Sequence, residues 1–116
     1  MLVDSTVPPG EVGTFWNGFE LMRDPSHVRT LTSDEWSALI RQSGLELRVV
    51  EDYPKRHDFA EWVARADVPG AGIEGLLDAV REAGAAVNEY ARTEWDGDRL
   101  TAFTDVKTLF FAVKLA

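Results

Sequence analysis

Apolar side chains recur along the chain at two spacings, which alternate from one segment to the next. Positions three and four apart, as in 73–80, are typical of an amphipathic helix, whereas every second position, as in 45–53, indicates a strand buried on one face. The first spacing predicts helices over Glu11–Met22, Thr32–Ser43, Asp58–Ala66, Ile73 to near Gly84, and Ala85–Ala91. The second predicts strands at Leu2–Val3, Leu45–Tyr53, Arg99–Phe103 and Lys107–Lys114. This alternation predicts an α/β fold.

Several residues mark where the predicted elements begin and end. Thr32 and Glu35 have the spacing of a capping box, and Gly44 favours a helix end directly after the same segment. Asp96-Gly97-Asp98 is typical of a hairpin turn. The run Leu109–Val113 is apolar at every position, which predicts a central strand buried on both faces.

Length and composition limit the classes of function. The 116 residues suit one domain, 1–116, with a single hydrophobic core. The net charge of −8, with scattered basic residues, argues against binding to nucleic acids or to anionic membranes. The absence of cysteine excludes disulfides and zinc–thiolate sites. The first residues lack the pattern of a signal peptide and no apolar stretch is long enough to span a membrane, so we expect a cytoplasmic protein, of bacterial source from its composition.

Two patterns raise the question of a binding or catalytic site. The segment 70–75 has the glycine spacing of a dinucleotide-binding loop, but that loop must follow a strand, and here a helix is predicted before it. We therefore interpret these glycines as a helix start. His27 and His57 lie in different segments without carboxylates at metal-ligand spacing, so no metal site is expected. His27 is either a general base or a loop histidine bonded to backbone, and its local sequence leaves both open.

The polar segment between the first two helices carries the most specific pattern. It reads Arg-Asp-Pro-Ser-His-Val-Arg over 23–29, with Asn17 and Glu20 before it, Glu35-Trp36 in the next helix and Gly44-Leu45 before the next strand. Together these residues resemble the C-terminal half of class I S-adenosylmethionine-dependent methyltransferases. The resemblance is to small-molecule enzymes related to the quinone-biosynthesis C-methyltransferases, and it covers nearly the whole chain.

The resemblance implies a partial, Rossmann-like methyltransferase fold. Leu2–Ser5 would be strand five, Leu45–Tyr53 strand six and Lys107–Lys114 strand seven, in a three-stranded mixed sheet of order 5-7-6 with flanking helices. The N-terminal half, which binds S-adenosylmethionine in this family, would be absent. No cofactor-binding residue can then be carried over, and the chain alone is expected to bind no cofactor and to catalyse no transfer.

What can be carried over is the acceptor side of the site. The candidate substrate-binding residues are Phe15, Trp16, Phe19, Arg23 and His27, and no residue is assigned as catalytic. The expected acceptor is a small apolar molecule. An unpaired sheet edge and apolar helix faces predict either a homodimer or completion by the missing N-terminal half. The alternative function is a non-enzymatic module that binds a small molecule or a protein in an aromatic cleft.

Overall fold

The computed structural model describes residues 1–114, in which helices lie on a twisted antiparallel sheet. The strands are β1 (Leu2–Thr6), β2 (Leu45–Asp58), β3 (Glu94–Asp96) and β4 (Arg99–Lys114). The helices are α1 (Glu11–Arg23), α2 (Ser33–Gln42), α3 (Phe59–Arg65), α4 (Gly70–Glu82) and α5 (Ala85–Tyr90). The predicted α/β class is therefore confirmed. Within the described residues, no helix is long and apolar enough to cross a membrane.

Helix ends follow the capping signals of the sequence. The Thr32 hydroxyl accepts from the Glu35 amide at 3.1 Å, and the Glu35 carboxylate accepts from the Thr32 amide at 3.0 Å, which completes the predicted capping box. α1 begins without a side-chain cap and lies close to the preceding turn instead. A Cβ on the buried Gly13 would lie 2.0 Å from the carbonyl oxygen of Pro8, so only glycine permits this approach.

The C-terminal strand β4 lies at the centre of the sheet. It pairs antiparallel with β1, β2 and β3, and the order along the sheet is β1-β4-β2, with β3 joined to β4 by the hairpin at Gly97. None of the residues 102–110 is exposed, because β2 pairs with this whole stretch on one side, β1 pairs with 106–110 on the other, and helices pack over it. Phe111 departs from the predicted two-sided burial of 109–113, since its side chain is 43% exposed.

The expectation of a three-stranded mixed sheet is wrong for the described residues, which form four strands whose pairings are all antiparallel. β4 is also one strand of 16 residues rather than two. Residues 104–106, which lie outside the two predicted strands, pair with 54–56, and the same pairing continues to Asp58 of β2. β3 escaped prediction because its three residues include two acids and no apolar alternation.

Aromatic side chains from three elements form the centre of the hydrophobic core. Phe19 of α1 stacks on Trp62 of α3, with ring centroids 5.1 Å apart and planes 11° apart. Phe103 of β4 meets Trp62 edge-on at 4.9 Å and Trp16 at 5.4 Å. Edge-to-face and offset-stacked pairs at these separations add to the free energy of burial. The core therefore fixes α1 against the sheet and so positions the polar residues on the rest of that helix.

Candidate functional site

The loop between α1 and α2 folds back along α1 through a turn at Asp24. The carboxylate of Asp24 accepts from the amide of Ser26 at 3.0 Å and from its hydroxyl at 2.7 Å, and these bonds lower the pKa of Asp24. The amide of His27 donates to the carbonyl of Asp24 at 2.9 Å. This geometry is the turn that an Asp before a Pro favours, and it places the ring of His27 over α1.

Asn17, in the middle of α1, holds the returning loop. Its Oδ1 accepts from the amide of Thr30 at 2.6 Å, and its Nδ2 donates to the carbonyls of Thr30, at 3.1 Å, and Gly13, at 3.3 Å. Both amide protons and the oxygen are thus used, which fixes the orientation of the side-chain amide. The side-chain amide of Asn17 thus bonds both the N–H and the C=O of Thr30, so the loop has a defined position relative to α1.

The ring of His27 lies between two oxygen atoms on α1. Nε2 is 3.1 Å from Oδ1 of Asn17, and Nδ1 is 3.3 Å from Oε2 of Glu20. Since Oδ1 of Asn17 is an acceptor, Nε2 of His27 must be the donor in the first contact. The second contact brings the imidazole and the carboxylate within ion-pair distance, without the alignment of a hydrogen bond. Two side chains of acid–base chemistry therefore lie next to each other beside α1.

Glu20 sits in a partly buried position among charged groups. Burial raises its pKa above the usual value, and the negative charge of Asp105 adds to the shift. The positive charges of His27, Lys107 and Arg23 act in the opposite direction. A raised carboxyl pKa brings Glu20 closer to neutral pH, where an acid–base group exchanges protons most effectively.

A cavity of about 490 Å³ opens beside this pair. Glu20 and His27 form its polar wall, and Ser5 of β1 and Trp36 of α2 lie across from them. The remaining lining residues are Asp4, Val28, Arg29, Thr30 and Leu31. Its volume falls within the range of small-molecule sites. The apolar lining residues are Val28, Leu31 and Trp36, so a small molecule in this cavity would contact both apolar and polar side chains, including the Glu20–His27 pair.

Polar side chains continue from this cavity across the sheet. The Lys107 ammonium donates to the Ser5 hydroxyl and lies 3.8 Å from Oδ2 of Asp105. Oδ1 of Asp105 lies 2.9 Å from Nε2 of His57, but without the alignment of a hydrogen bond. His57 and Asp105 are both buried. A row of ionisable groups thus connects the cavity on β1 with the far side of β4.

Tyr90 at the end of α5 faces the same group of carboxylates. Burial, with the charges of Asp105, Asp52 and Glu20, raises the pKa of Tyr90 to about 12. Its hydroxyl therefore stays protonated at neutral pH. Among the described residues, the Tyr90 hydroxyl and Nε1 of Trp16 are buried without a hydrogen-bond partner.

The five candidate residues lie in different surroundings. His27 lines the cavity, whereas Trp16 and Phe19 lie in the core, 2% and 1% exposed. Phe15 is half-buried and stacks on Phe19 at 5.8 Å. Arg23 joins two helices: its Nε donates to the carbonyl of Trp62 at 2.9 Å, and its guanidinium carbon lies 4.4 Å from the centre of the Trp62 ring.

Glu20 and Asn17 were not among the candidate residues, although they make the principal contacts of His27. Their signal in the sequence is the spacing of three, which places both on one face of α1. His27 lies on the loop, so its approach to that face depends on the Asp24 turn and on the Asn17 bonds to residue 30. Periodic spacing in the sequence does not predict a contact of this kind, because the contact depends on the path of the loop.

The segment 70–75 does not have the setting of a dinucleotide-binding loop. The glycines of 70–75 begin α4 after a turn, with Pro69 at the helix N-cap, and not after a strand. A Cβ on Gly72 would lie 2.9 Å from Cγ1 of Val68, so this glycine serves close packing of the α3–α4 turn. In residues 1–114 no group of three His, Asp or Glu side chains is placed to hold a metal ion.

The sequence matches no protein-family model. It is 33% identical over 105 residues to the uncharacterized protein YafE of Escherichia coli K12, an alignment that covers 84% of this chain and 48% of YafE. Among solved structures, it is similar to a protein described as a "putative methyltransferase" (BH2331) from Bacillus halodurans, with a TM-score of 0.93 and 23% identity. The YcgJ protein of Bacillus subtilis gives a TM-score of 0.90 at 21% identity.

Each of these two structural similarities covers 98% of this chain and 50% of the other. The chain therefore has a methyltransferase-like fold and spans about half the length of the proteins that it matches.

Proposed function

We propose that this chain is the acceptor side of an S-adenosylmethionine-dependent methyltransferase that acts on a small, largely apolar molecule. In this proposal β1, β2 and β4 correspond to strands five, six and seven of the family, which the order β1-β4-β2 supports. The chain then corresponds to the C-terminal half of the domain. The similarity in fold to half of the Bacillus halodurans protein supports the reaction class.

The proposal rests mainly on the contact between His27 and Glu20, which both line the cavity. Methyl transfer to oxygen, nitrogen or carbon leaves one proton to be removed from the acceptor, and a positioned base accelerates this step. Glu20, with its raised pKa and a histidine at 3.3 Å, is suited to receive that proton. His27 is the positioning partner, whose ring lies at ion-pair distance from the carboxylate.

The rest of the cavity orients the acceptor and excludes water. Trp36 and Leu31 supply apolar walls, and the loop held by Asn17 limits access of solvent. S-adenosylmethionine carries a methyl group on a sulfonium that is ready for displacement in line. In this proposal the cofactor site is supplied by further polypeptide, either a preceding segment or a second chain. A homodimer is the other arrangement that could complete the fold.

A hybrid protein tests the reaction class. The matching half of the Bacillus halodurans protein is replaced by this chain, and S-adenosylhomocysteine is titrated calorimetrically into the hybrid and into this chain alone. We expect binding by the hybrid and none by the chain. A folded hybrid that binds no S-adenosylhomocysteine would contradict the assignment of this chain to the acceptor side.

The role of Glu20 is tested in the same hybrid with a panel of small aromatic acceptors. Glu20→Gln is expected to lower the rate of methyl transfer about 10²-fold or more, the range for loss of a general base, without changing S-adenosylhomocysteine binding. Glu11→Gln, an exposed change at the start of the same helix, is the matched control. Equal rates for both variants would remove Glu20 from the reaction. Acceptor binding without any transfer would favour a binding module instead.

A further inference from the structure

The largest cavity described here, about 770 Å³, is separate from the His27 cavity and shares no lining residue with it. It lies between α3, the turn into α4 and the β3–β4 hairpin. Seven of its twelve lining residues are apolar, and the larger of these are Phe59, Val63, Val68, Ile73 and Leu100. A cavity of this size and lining has the properties of a site for a small organic molecule.

The rim of this cavity carries more negative than positive charge. Asp58, Asp67 and Asp96 line it, and Arg99 is the cationic side chain among its lining residues in the described chain. The guanidinium of Arg99 lies 3.5 Å from the carboxylate of Glu74, which is outside the lining. Asp67 and Asp96 make no side-chain hydrogen bond or ion pair that the structure records within residues 1–114. Two carboxylates at the rim are therefore free to meet a cation.

The backbone holds these carboxylates in place. Asp67 has a left-handed conformation, with φ of 52°, which Asp and Asn tolerate better than most residues. The amide of Asp67 donates to the carbonyl of Ala64 at 3.1 Å, and that of Val68 donates to Val63 at 3.2 Å. The wall on the α3 side is thus a bonded turn and is formed before any ligand arrives.

The hairpin side of the cavity is fixed as well. Arg81 of α4 donates through Nε to the carbonyl of Asp98 at 2.9 Å and through Nη1 to Asp78 at 2.8 Å. This pair of bonds joins the hairpin turn to α4, so Asp96 has a defined position relative to Ile73. A preformed cavity costs a ligand less ordering free energy than one that must close around it.

We infer that this cavity binds an amphipathic organic cation, with an apolar aryl or alkyl body against Phe59 and Leu100 and an ammonium group near the carboxylates of Asp67 and Asp96. The apolar lining residues favour the apolar part of the ligand, and the excess of carboxylates favours its positive charge. A neutral molecule of the same shape gains the apolar contacts alone, and an anion is repelled by the rim.

The test uses 4-phenylbutylamine as the probe, with 4-phenylbutanol and 4-phenylbutyrate as neutral and anionic molecules of similar shape. Titration into nitrogen-15-labelled protein follows the amide signals by NMR. The amine is expected to shift signals of residues 58–68 and 96–101 and to bind roughly three- to tenfold more tightly than the alcohol, the range for one or two exposed ion pairs. The preference for the amine should shrink in 0.5 M salt. The Debye length is about 10 Å at 0.1 M salt and shorter at 0.5 M, so the attraction between exposed charges is screened more strongly.

Two sets of variants make the inference decisive. Asp67→Asn with Asp96→Asn should abolish the preference for the amine over the alcohol, and Asn keeps the left-handed backbone at position 67. Asp58 is left unchanged because it caps α3. Asp34→Asn, an exposed change on α2 outside the cavity, is the matched control. Ala64→Trp, at an exposed lining position, should fill the cavity and prevent binding of both molecules. Shifts located elsewhere, equal affinity for amine and alcohol, or no binding by the unchanged protein would overturn the inference.

Discussion

Two sides of α1 differ in how their contacts are made. On one side, Trp16 and Phe19 are buried among aromatic rings of α3 and β4, where large apolar surfaces meet at several angles. On the other side, Asn17 and Glu20 contact His27 and the backbone of a returning loop through individual polar atoms. The first side joins secondary-structure elements to each other, whereas the second side joins a helix to a loop.

The two sides of α1 contribute differently to stability and to chemistry. Apolar contacts depend on area and shape, so their loss costs free energy wherever they lie in the core. Polar contacts depend on alignment, and a buried polar group without a partner is costly. We therefore expect substitutions on the aromatic side to change stability most, and those on the polar side to change loop order and titration.

Phe19→Ala has the largest expected effect. The side chain is 1% exposed and contacts Phe15, Trp16 and Trp62. Its removal leaves a cavity and should lower the free energy of unfolding by about 3–5 kcal/mol, measured by urea denaturation. Leu21→Ala, at a position on the same helix that is 49% exposed, should cost less than about 1 kcal/mol. Similar losses for both variants would mean that α1 does not bury its aromatic side as described.

Asn17→Ala should have the next largest effect, on the polar side. The change removes one donor and one acceptor that hold the loop at Thr30, together with the donor to the Gly13 carbonyl, and it leaves the backbone groups of Thr30 to find other partners. We expect a loss of about 1–3 kcal/mol. The amides of 27–30 should also exchange with solvent faster, as read by hydrogen exchange. Unchanged exchange in this loop would show that Asn17 is not what positions His27.

Arg23→Lys tests whether Arg23 belongs to the aromatic or to the polar side of α1. Arg23 donates to the Trp62 carbonyl and lies over the Trp62 ring, so we assign it to the aromatic side in spite of its charge. Lysine keeps the charge but has no planar guanidinium and no Nε donor, so the variant should lose about 1–2 kcal/mol of stability. Ligand occupancy of the His27 cavity should not change. A change in ligand binding at constant stability would place Arg23 in the site instead.

The same contrast explains which features the sequence could predict. Helices α1 and α2, the capping box and the central position of an apolar C-terminal strand all follow from periodic spacing and cap residues within a short window. The extension of β2 through Pro54 to Asp58 does not, because those residues are mostly polar and are ordered by pairing with a distant strand.

Aromatic residues at helical spacing predicted a buried face of α1 but not whether that face was a pocket or a core. The partner decides this, and for Phe19 the partner is Trp62, 43 positions further along the chain. His27 and Glu20 are closer in sequence, yet their contact depends on the turn at Asp24. Local patterns thus indicated which residues would be buried, and the tertiary path decided which of them meet at a site.

Glu20→Gln has the smallest effect on stability and the sharpest dependence on pH. Because the pKa of Glu20 is raised in the folded chain, the folded state keeps a proton that the unfolded chain releases above its ordinary pKa of 4.5. Stability from this group is therefore present below pH 4.5 and is lost as pH rises through the raised value. The charges that face it are His27, Lys107, Arg23 and Asp105, and glutamine leaves them unchanged. Urea denaturation of both proteins from pH 4 to 8 should thus show the unchanged protein losing stability relative to the variant as pH rises. A constant difference would mean that Glu20 titrates as an ordinary exposed carboxyl, and the polar side of α1 would then hold no proton poised for transfer.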